Sequence, residues 1–191
     1  MKTTSIMIVG VGGQGTLLAS RILGNAVIDE GFDVKVSEVH GMSQRGGSVV
    51  TYVKFGDKVY SPVIDKGEAD IILAFEQLEA YHALPWLKKG GRIIVNEQKI
   101  NPMPVITGAA NYPENIIEKL KEMCSVTSLD ALELAKEAGS IKTVNVVLIG
   151  VLAKSTDIPY ESWVKTLLKT VPEKFAEMNL KAFELGYNFD R

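Results

Sequence analysis

The chain is poor in the residues that build metal centres. It has one cysteine, Cys124, and two histidines, His40 and His82. One cysteine forms no intrachain disulfide and supplies neither a Cys₄ zinc site nor an iron–sulfur cluster. Two histidines are too few for a histidine-rich site, so no metal site is expected. Cys124 is read as a small core residue. No G-x-x-x-x-G-K-[ST] occurs, which excludes a P-loop, and no G-x-S-x-G occurs either. There is no G-D-G with a downstream N-N pair, the usual mark of a thiamine diphosphate–magnesium site. No apolar run reaches the ~18–20 residues that span a bilayer. The formal charge is −2, so no broad basic field favours nucleic acid. The first residues read as a strand, with no secretory pattern, and a cytoplasmic protein is expected. A redox catalyst made from this chain alone would have to bind a nicotinamide or a flavin.

What is present points to an α/β protein. The 191 residues fit one domain, 1–191, and a hydrophobic fraction of 46% is enough for a sizeable core. Seventeen glycines suit a fold with many tight turns. The organising stretch is Ile6–Gly15, IMIVGVGGQG. An apolar run ends at Gly10. Gly10, Gly12 and Gly15 then fall at G-x-G-x-x-G spacing, with Gly13 as an extra glycine and Gln14 beside it. Leu17, Leu18, Ile22, Leu23 and Ala26 follow at helical steps. A strand, a glycine turn and a helix N-terminus make a cradle for an anion, because the first helical N–H groups are unpaired and partly positive. A purely structural turn is the competing reading.

Asp33–Val39 alternates and reads as the second strand. Glu38, 23 residues beyond Gly15, is close to where a ribose-binding acid stands in nicotinamide folds. No second crossover helix follows. Instead comes His40-Gly41-Met42-Ser43-Gln44-Arg45-Gly46-Gly47. His40 offers an imidazole, a group whose ordinary ionisation lies near neutral pH, Ser43 and Gln44 offer hydrogen bonds, and Arg45 is a forked, permanent cation. Gly46 and Gly47 allow close backbone approach. The competing reading packs His40 locally and pairs Arg45 with a carboxylate. With parallel strands, this loop and the Gly10–Gly15 turn would leave the carboxyl ends of adjacent strands and line one crevice.

Ser48–Phe55 is β-branched and alternating. With a turn at Gly56–Lys58 and a return strand from Val59, it reads as an inserted β-hairpin. Asp70–Phe75 is a buried parallel-type strand. Glu76 either lines the crevice or caps the helix that follows. A helix running to Leu87 stops at Lys88–Gly91, and Arg92–Val95 is a strand. Val105–Gly108 is read as a short strand inside a proline-containing loop. Glu114–Met123 and Asp130–Ala138 are helices flanking a strand at Ser125–Thr127. Thr143–Leu152 is apolar almost all round and reads as a buried helix. Within it, Asn145 either satisfies a loop backbone group or faces the site. Helices at Tyr160–Thr170 and from Pro172 to about Gly186 close the chain. The expected fold is a Rossmann-like, mostly parallel sheet with an inserted hairpin and a helical C-terminal third.

Two long motifs carry a family resemblance. GVGGQGTLLASRILGNA at Gly10–Ala26 and EVHGMSQRGGSVVTYVKFG at Glu38–Gly56 resemble the gamma-type module of 2-oxoacid:ferredoxin oxidoreductases. The likeness is greatest to the indolepyruvate branch, where this module is a separate short chain. It covers nearly the whole length. It implies a subunit of an enzyme that decarboxylates an aryl pyruvate oxidatively, with coenzyme A as substrate, giving acyl-CoA, CO₂ and reduced ferredoxin. It further implies a large alpha subunit carrying thiamine diphosphate, Mg²⁺ and [4Fe–4S] clusters, with no cofactor bound by this chain alone. Carried over, Gly10, Gly12, Gly13, Gln14 and Gly15 would face an anionic group. Glu38, Ser43, Gln44, Gly46 and Gly47 would face the active site across the subunit boundary. Arg45 would partner a phosphate or carboxylate, and His40 would donate a hydrogen bond or relay a proton. Neither a nucleic acid nor a membrane is implied as partner. Two other readings stand beside this one: a self-sufficient NAD(P)- or flavin-binding Rossmann protein, and a nucleotide-sensing regulatory domain.

Overall fold

The computed structural model describes residues 3–40 and 47–189, with only the backbone of His40. In chain order the elements are β1 (Thr4–Val11), α1 (Thr16–Asp29), β2 (Asp33–His40), β3 (Ser48–Gly56), β4 (Ala69–Ala74), α2 (Gln77–Ala83) and β5 (Leu87–Asn96). Then follow α3 (Met103–Ile106), α4 (Ile116–Met123), β6 (Ser125–Leu129), α5 (Ala131–Ala138), α6 (Val144–Ala153), α7 (Tyr160–Thr170) and α8 (Ala176–Tyr187). The six strands form one sheet in the order β2-β3-β1-β4-β5-β6. β1, β4, β5 and β6 pair in parallel, while β3 runs antiparallel to both β1 and β2.

β1 is a continuous apolar run because both of its faces are covered. Ile6 and Ile8 point into one core with α1, α6, α7 and α8. Met7 and Val9 point into the other, with Leu78 of α2 and Leu120 of α4. All four are at most 2% exposed, and burial of each contributes about 2 kcal/mol before entropy is counted. α6 is apolar all round for the same reason: from Asn145 to Ala153 every residue is buried. It lies against α8 with backbones in direct contact. A Cβ at Gly150 would overlap the Phe183 carbonyl, and one at Gly186 would overlap the Val147 carbonyl.

Three expectations need correction. The hairpin expected of Ser48–Phe55 with a return strand from Val59 does not form; Ser48–Phe55 lies in β3, which pairs instead with β2 and β1. Residues 59–61 form no return strand; Val59 N–H instead donates to Asp33 Oδ2 at 2.9 Å, and Tyr60 is left 83% exposed. Consequently β1 and β2 are not adjacent, because β3 inserts between them. Secondly, Leu87–Gly91 belongs to β5 rather than to a helix and its stop. Only Leu84–Trp86 is helical there, as a single tight turn with proline at its start. Thirdly, Val105 and Ile106 lie in the one-turn helix α3, not a strand. Proline at its cap and in its first turn suits a helix start better than a strand.

The inserted β3 does not separate the two glycine turns. Two successive antiparallel pairings restore direction, so β1 and β2 point the same way. Val11 stands opposite Ser48, and His40 opposite Val49. The carboxyl ends of β1, β2, β4 and β5 and the start of β3 therefore share one rim.

Candidate functional site

The rim is built around the β1–α1 turn. Gly13 and Gly15 take φ of +99° and +85°, a region that side-chain-bearing residues enter only at a cost. Gly15 has a second constraint: a Cβ there would sit 2.6 Å from Asn145 Nδ2. Asn145 in turn reaches from α6 to the Gly15 carbonyl, its Nδ2 donating at 3.4 Å. Of the two readings of Asn145, support of a loop backbone group is the one observed. At Gly10 a Cβ would lie 2.8 Å from Gln14 Oε1 and 3.0 Å from Phe75 Cβ. That glycine is needed for packing.

Gln14 ties the turn to the sheet. Its Oε1 accepts from Val11 N–H at 2.7 Å, and its Nε2 donates to the Phe75 carbonyl at 3.0 Å and to Gln98 Oε1 at 3.3 Å. Asn96, fully buried, donates to the same Phe75 carbonyl at 3.2 Å and accepts from Ala131 N–H at 3.1 Å. The ends of β1, β4 and β5 are thus joined by two amides, of which Asn96 also holds the first N–H of α5. Gly12 N–H donates to the Gly47 carbonyl at 2.9 Å, and Gln14 N–H to the Val11 carbonyl at 3.2 Å. The first of these bonds pins the two glycine turns to each other. The turn leads directly into the first turn of α1, with Gly15 at the N-cap. That helix has no side-chain cap, so its N-terminal donors and dipole are open to an anion.

Glu76 is 1% exposed and caps α2 rather than lining the crevice. Its carboxylate accepts from Glu79 N–H at 3.0 Å, from Ile100 N–H at 3.1 Å and from the Tyr112 hydroxyl. Burial, and then the bond to Glu76, push the Tyr112 phenol well above its ordinary value. Glu38 is exposed on the outermost strand, opposite Thr51. One strand therefore lies between it and the glycine turn. The His40 side chain, Ser43, Gln44, Arg45 and Gly46 lie outside the described residues.

Sequence reasoning missed Ser48, Glu79, Asn96 and Gln98 at this rim. The Ser48 hydroxyl donates to Glu79 across 31 positions of sequence, a spacing with no local signal. The Asn96 side chain lies where a parallel strand ends, and that position was the only clue to it. Cys124 is half-buried beside the second core, and burial alone raises its thiol. A lone thiol cannot ligate an iron–sulfur cluster. Among the described residues no three His, Cys, Asp or Glu side chains are grouped to hold a metal ion. Among the same residues no helix is long and apolar enough to cross a membrane.

Known proteins share this fold and much of this sequence. The chain is 45% identical over 194 residues to the indolepyruvate oxidoreductase subunit IorB of Pyrococcus horikoshii, covering 97% of this chain and 95% of that one. It superposes on the gamma subunit of a keto/oxoacid ferredoxin oxidoreductase from Geobacter sulfurreducens with a TM-score of 0.72, at 28% identity and 96% coverage of both chains. It also matches 31% of the chain of 2-oxoglutarate:ferredoxin oxidoreductase from Magnetococcus marinus, with a TM-score of 0.76 and 20% identity. That last likeness is one of fold alone, and there the module is part of a longer polypeptide. The profile of the pyruvate ferredoxin/flavodoxin oxidoreductase family matches residues 5–189, and the chain belongs to that family.

Proposed function

We propose that this chain is the cluster-free subunit of a cytoplasmic indolepyruvate-type 2-oxoacid:ferredoxin oxidoreductase, silent without its partner. The overall reaction is oxidative decarboxylation of an aryl pyruvate with coenzyme A, yielding acyl-CoA, CO₂ and reduced ferredoxin. The observation that carries this reading is 45% identity, over nearly the full length of both chains, to an indolepyruvate oxidoreductase subunit. Thiamine diphosphate, Mg²⁺ and [4Fe–4S] clusters reside in the large partner subunit and supply the decarboxylation and electron transfer. The present chain closes the chamber. Its open α1 N-terminus and the Gly13 and Gly15 N–H groups bind an anionic group of coenzyme A or of the oxoacid. Arg45 adds a charge-assisted contact that strengthens as the partner excludes water. His40, with Ser43, Gln44, Gly46 and Gly47, completes the wall facing the partner.

A dinucleotide-binding reading fits less well. It needs Glu38 beside the glycine turn on a neighbouring strand, whereas β3 stands between them. The test is purification of the native complex followed by separation of its subunits. The expected result is a colourless small chain without oxoacid oxidation, which regains it on recombination with a brown, thiamine-containing partner. Recovery of dinucleotide binding by the separated chain, with no such partner, would overturn the proposal.

A further inference from the structure

A hydroxyl, a carboxylate and an imidazole stand in line on the face of the sheet opposite α1. Ser48 opens β3 directly after Gly47, whose carbonyl holds Gly12 N–H. The Ser48 hydroxyl donates to Glu79 Oε2, and His82 Nδ1 stands 3.5 Å from Glu79 Oε1. The two ends differ from the middle. Ser48 is exposed at the rim, Glu79 is 9% exposed, and the His82 side chain is 61% exposed. α2 starts where β4 ends and runs back from the rim, so His82 lies one helical turn further from it than Glu79. Glu76 at the start of the same helix and Tyr112 from the segment beyond β5 also lie near Glu79.

A carboxylate could be kept there simply to tether α2 to β3. A tether needs only an acceptor for one hydroxyl, and an amide on α2 would serve without burying an acid. The second oxygen facing an exposed imidazole is unnecessary for a tether. It is what a path for a proton requires.

We propose that Ser48, Glu79 and His82 form a relay that carries the thiol proton of the acyl-accepting substrate from the rim to solvent. The inference rests on the reading that a thiol is consumed at this rim. In the step, the thiol S–H bond breaks and its proton goes to Ser48 Oγ. The proton that Ser48 held passes to Glu79 Oε2, leaving a thiolate and a neutral carboxyl group. No electrons are exchanged. The carboxyl group then turns its O–H from Ser48 towards His82, Nδ1 accepts that proton, and the exposed ring releases one to water from Nε2. The thiolate is left free to attack the acyl group.

The relay is tested in the reassembled complex at saturating oxoacid and coenzyme A. Glu79→Gln keeps an acceptor for Ser48 but cannot serve as the base. It should lower kcat by roughly 100-fold, with KM for the oxoacid and the thermal midpoint unchanged. Glu79→Ala should lose as much and regain part of it with added formate. His82→Asn should lose less, about ten-fold, and respond to added imidazole. Wild-type kcat in Glu79→Gln would overturn the relay while leaving the proposed function standing. So would a Glu79→Ala loss that formate does not restore and that parallels a fall in thermal midpoint. A wild-type complex that oxidises no 2-oxoacid would overturn the proposed function and the relay together.

Discussion

Glycine does two different jobs in this molecule, in two regions that meet at Asn145. At the rim, Gly13 and Gly15 are needed for backbone conformations with positive φ. In the helical third, Gly150 and Gly186 sit in helices, and what they supply is absence of volume, since α6 and α8 touch backbone to backbone. The rim leaves α1 without a side-chain cap, as suits a binding surface. The α6–α8 seam leaves no room for a side chain at either glycine. One region holds local strain for contact with another molecule, and the other holds the first in place through a single amide, Asn145, hydrogen-bonded to the Gly15 carbonyl.

That contrast can be broken by substitution, and the largest effect should fall on the seam. Gly150→Leu drives a side chain into the Phe183 carbonyl and should cost about 3 kcal/mol or more, or prevent folding. Urea denaturation of the purified chain measures it. A near-wild-type midpoint would mean that α6 and α8 are not in backbone contact. Gly15→Ala should come next, because strain at positive φ adds to a clash with Asn145, about 2–3 kcal/mol together. Gly13→Ala meets no neighbour and should cost only about 1–2 kcal/mol. Equal losses at the two positions would remove Asn145 from the argument.

Arg45→Ala sharpens the functional half of the comparison. In the assembled complex it should lower aryl-pyruvate oxidation about ten-fold, the ~1.4 kcal/mol of one charge-assisted contact. Stability of the isolated chain should barely move. Unchanged kinetics at limiting coenzyme A and limiting oxoacid would take Arg45 out of the site.

The smallest effect concerns pH. Tyr112 has its phenol raised by burial and by Glu76. A raised folded value means a contribution that is complete below the unfolded value, near 10, and is lost as pH rises through the folded one. Wild type should therefore lose stability above roughly pH 10 more steeply than Tyr112→Phe. Urea midpoints taken on either side of that pH decide it, and parallel slopes would contradict the coupling.

What could be read in the residues follows from how local each cause is. The β1 run, the glycine spacing and the all-round apolarity of α6 are contiguous signals, and each element stands where they place it. Ser48–Phe55 was recognisable as a strand, but its partner was not, because pairing with β1 and β2 depends on register across the sheet. Leu87–Gly91 looked like a helix end because two glycines follow two lysines. Pairing with β4, where the register shifts between Ala69 and Ile71, overrides that preference. Glu76 could be narrowed to two roles, and the choice needed Ile100 and Tyr112 from a distant segment. The Ser48–Glu79 contact had no sequence pattern at all.

In the proposed function, the two glycine turns meet the partner subunit along one rim. Hydrogen–deuterium exchange on the isolated chain and on the assembled complex tests it most directly. Assembly should protect the amides of residues 10–18 and 40–48 together, with further protection when coenzyme A is added. Protection confined to α7 and α8, with both turns exchanging as fast as in the free chain, would contradict it.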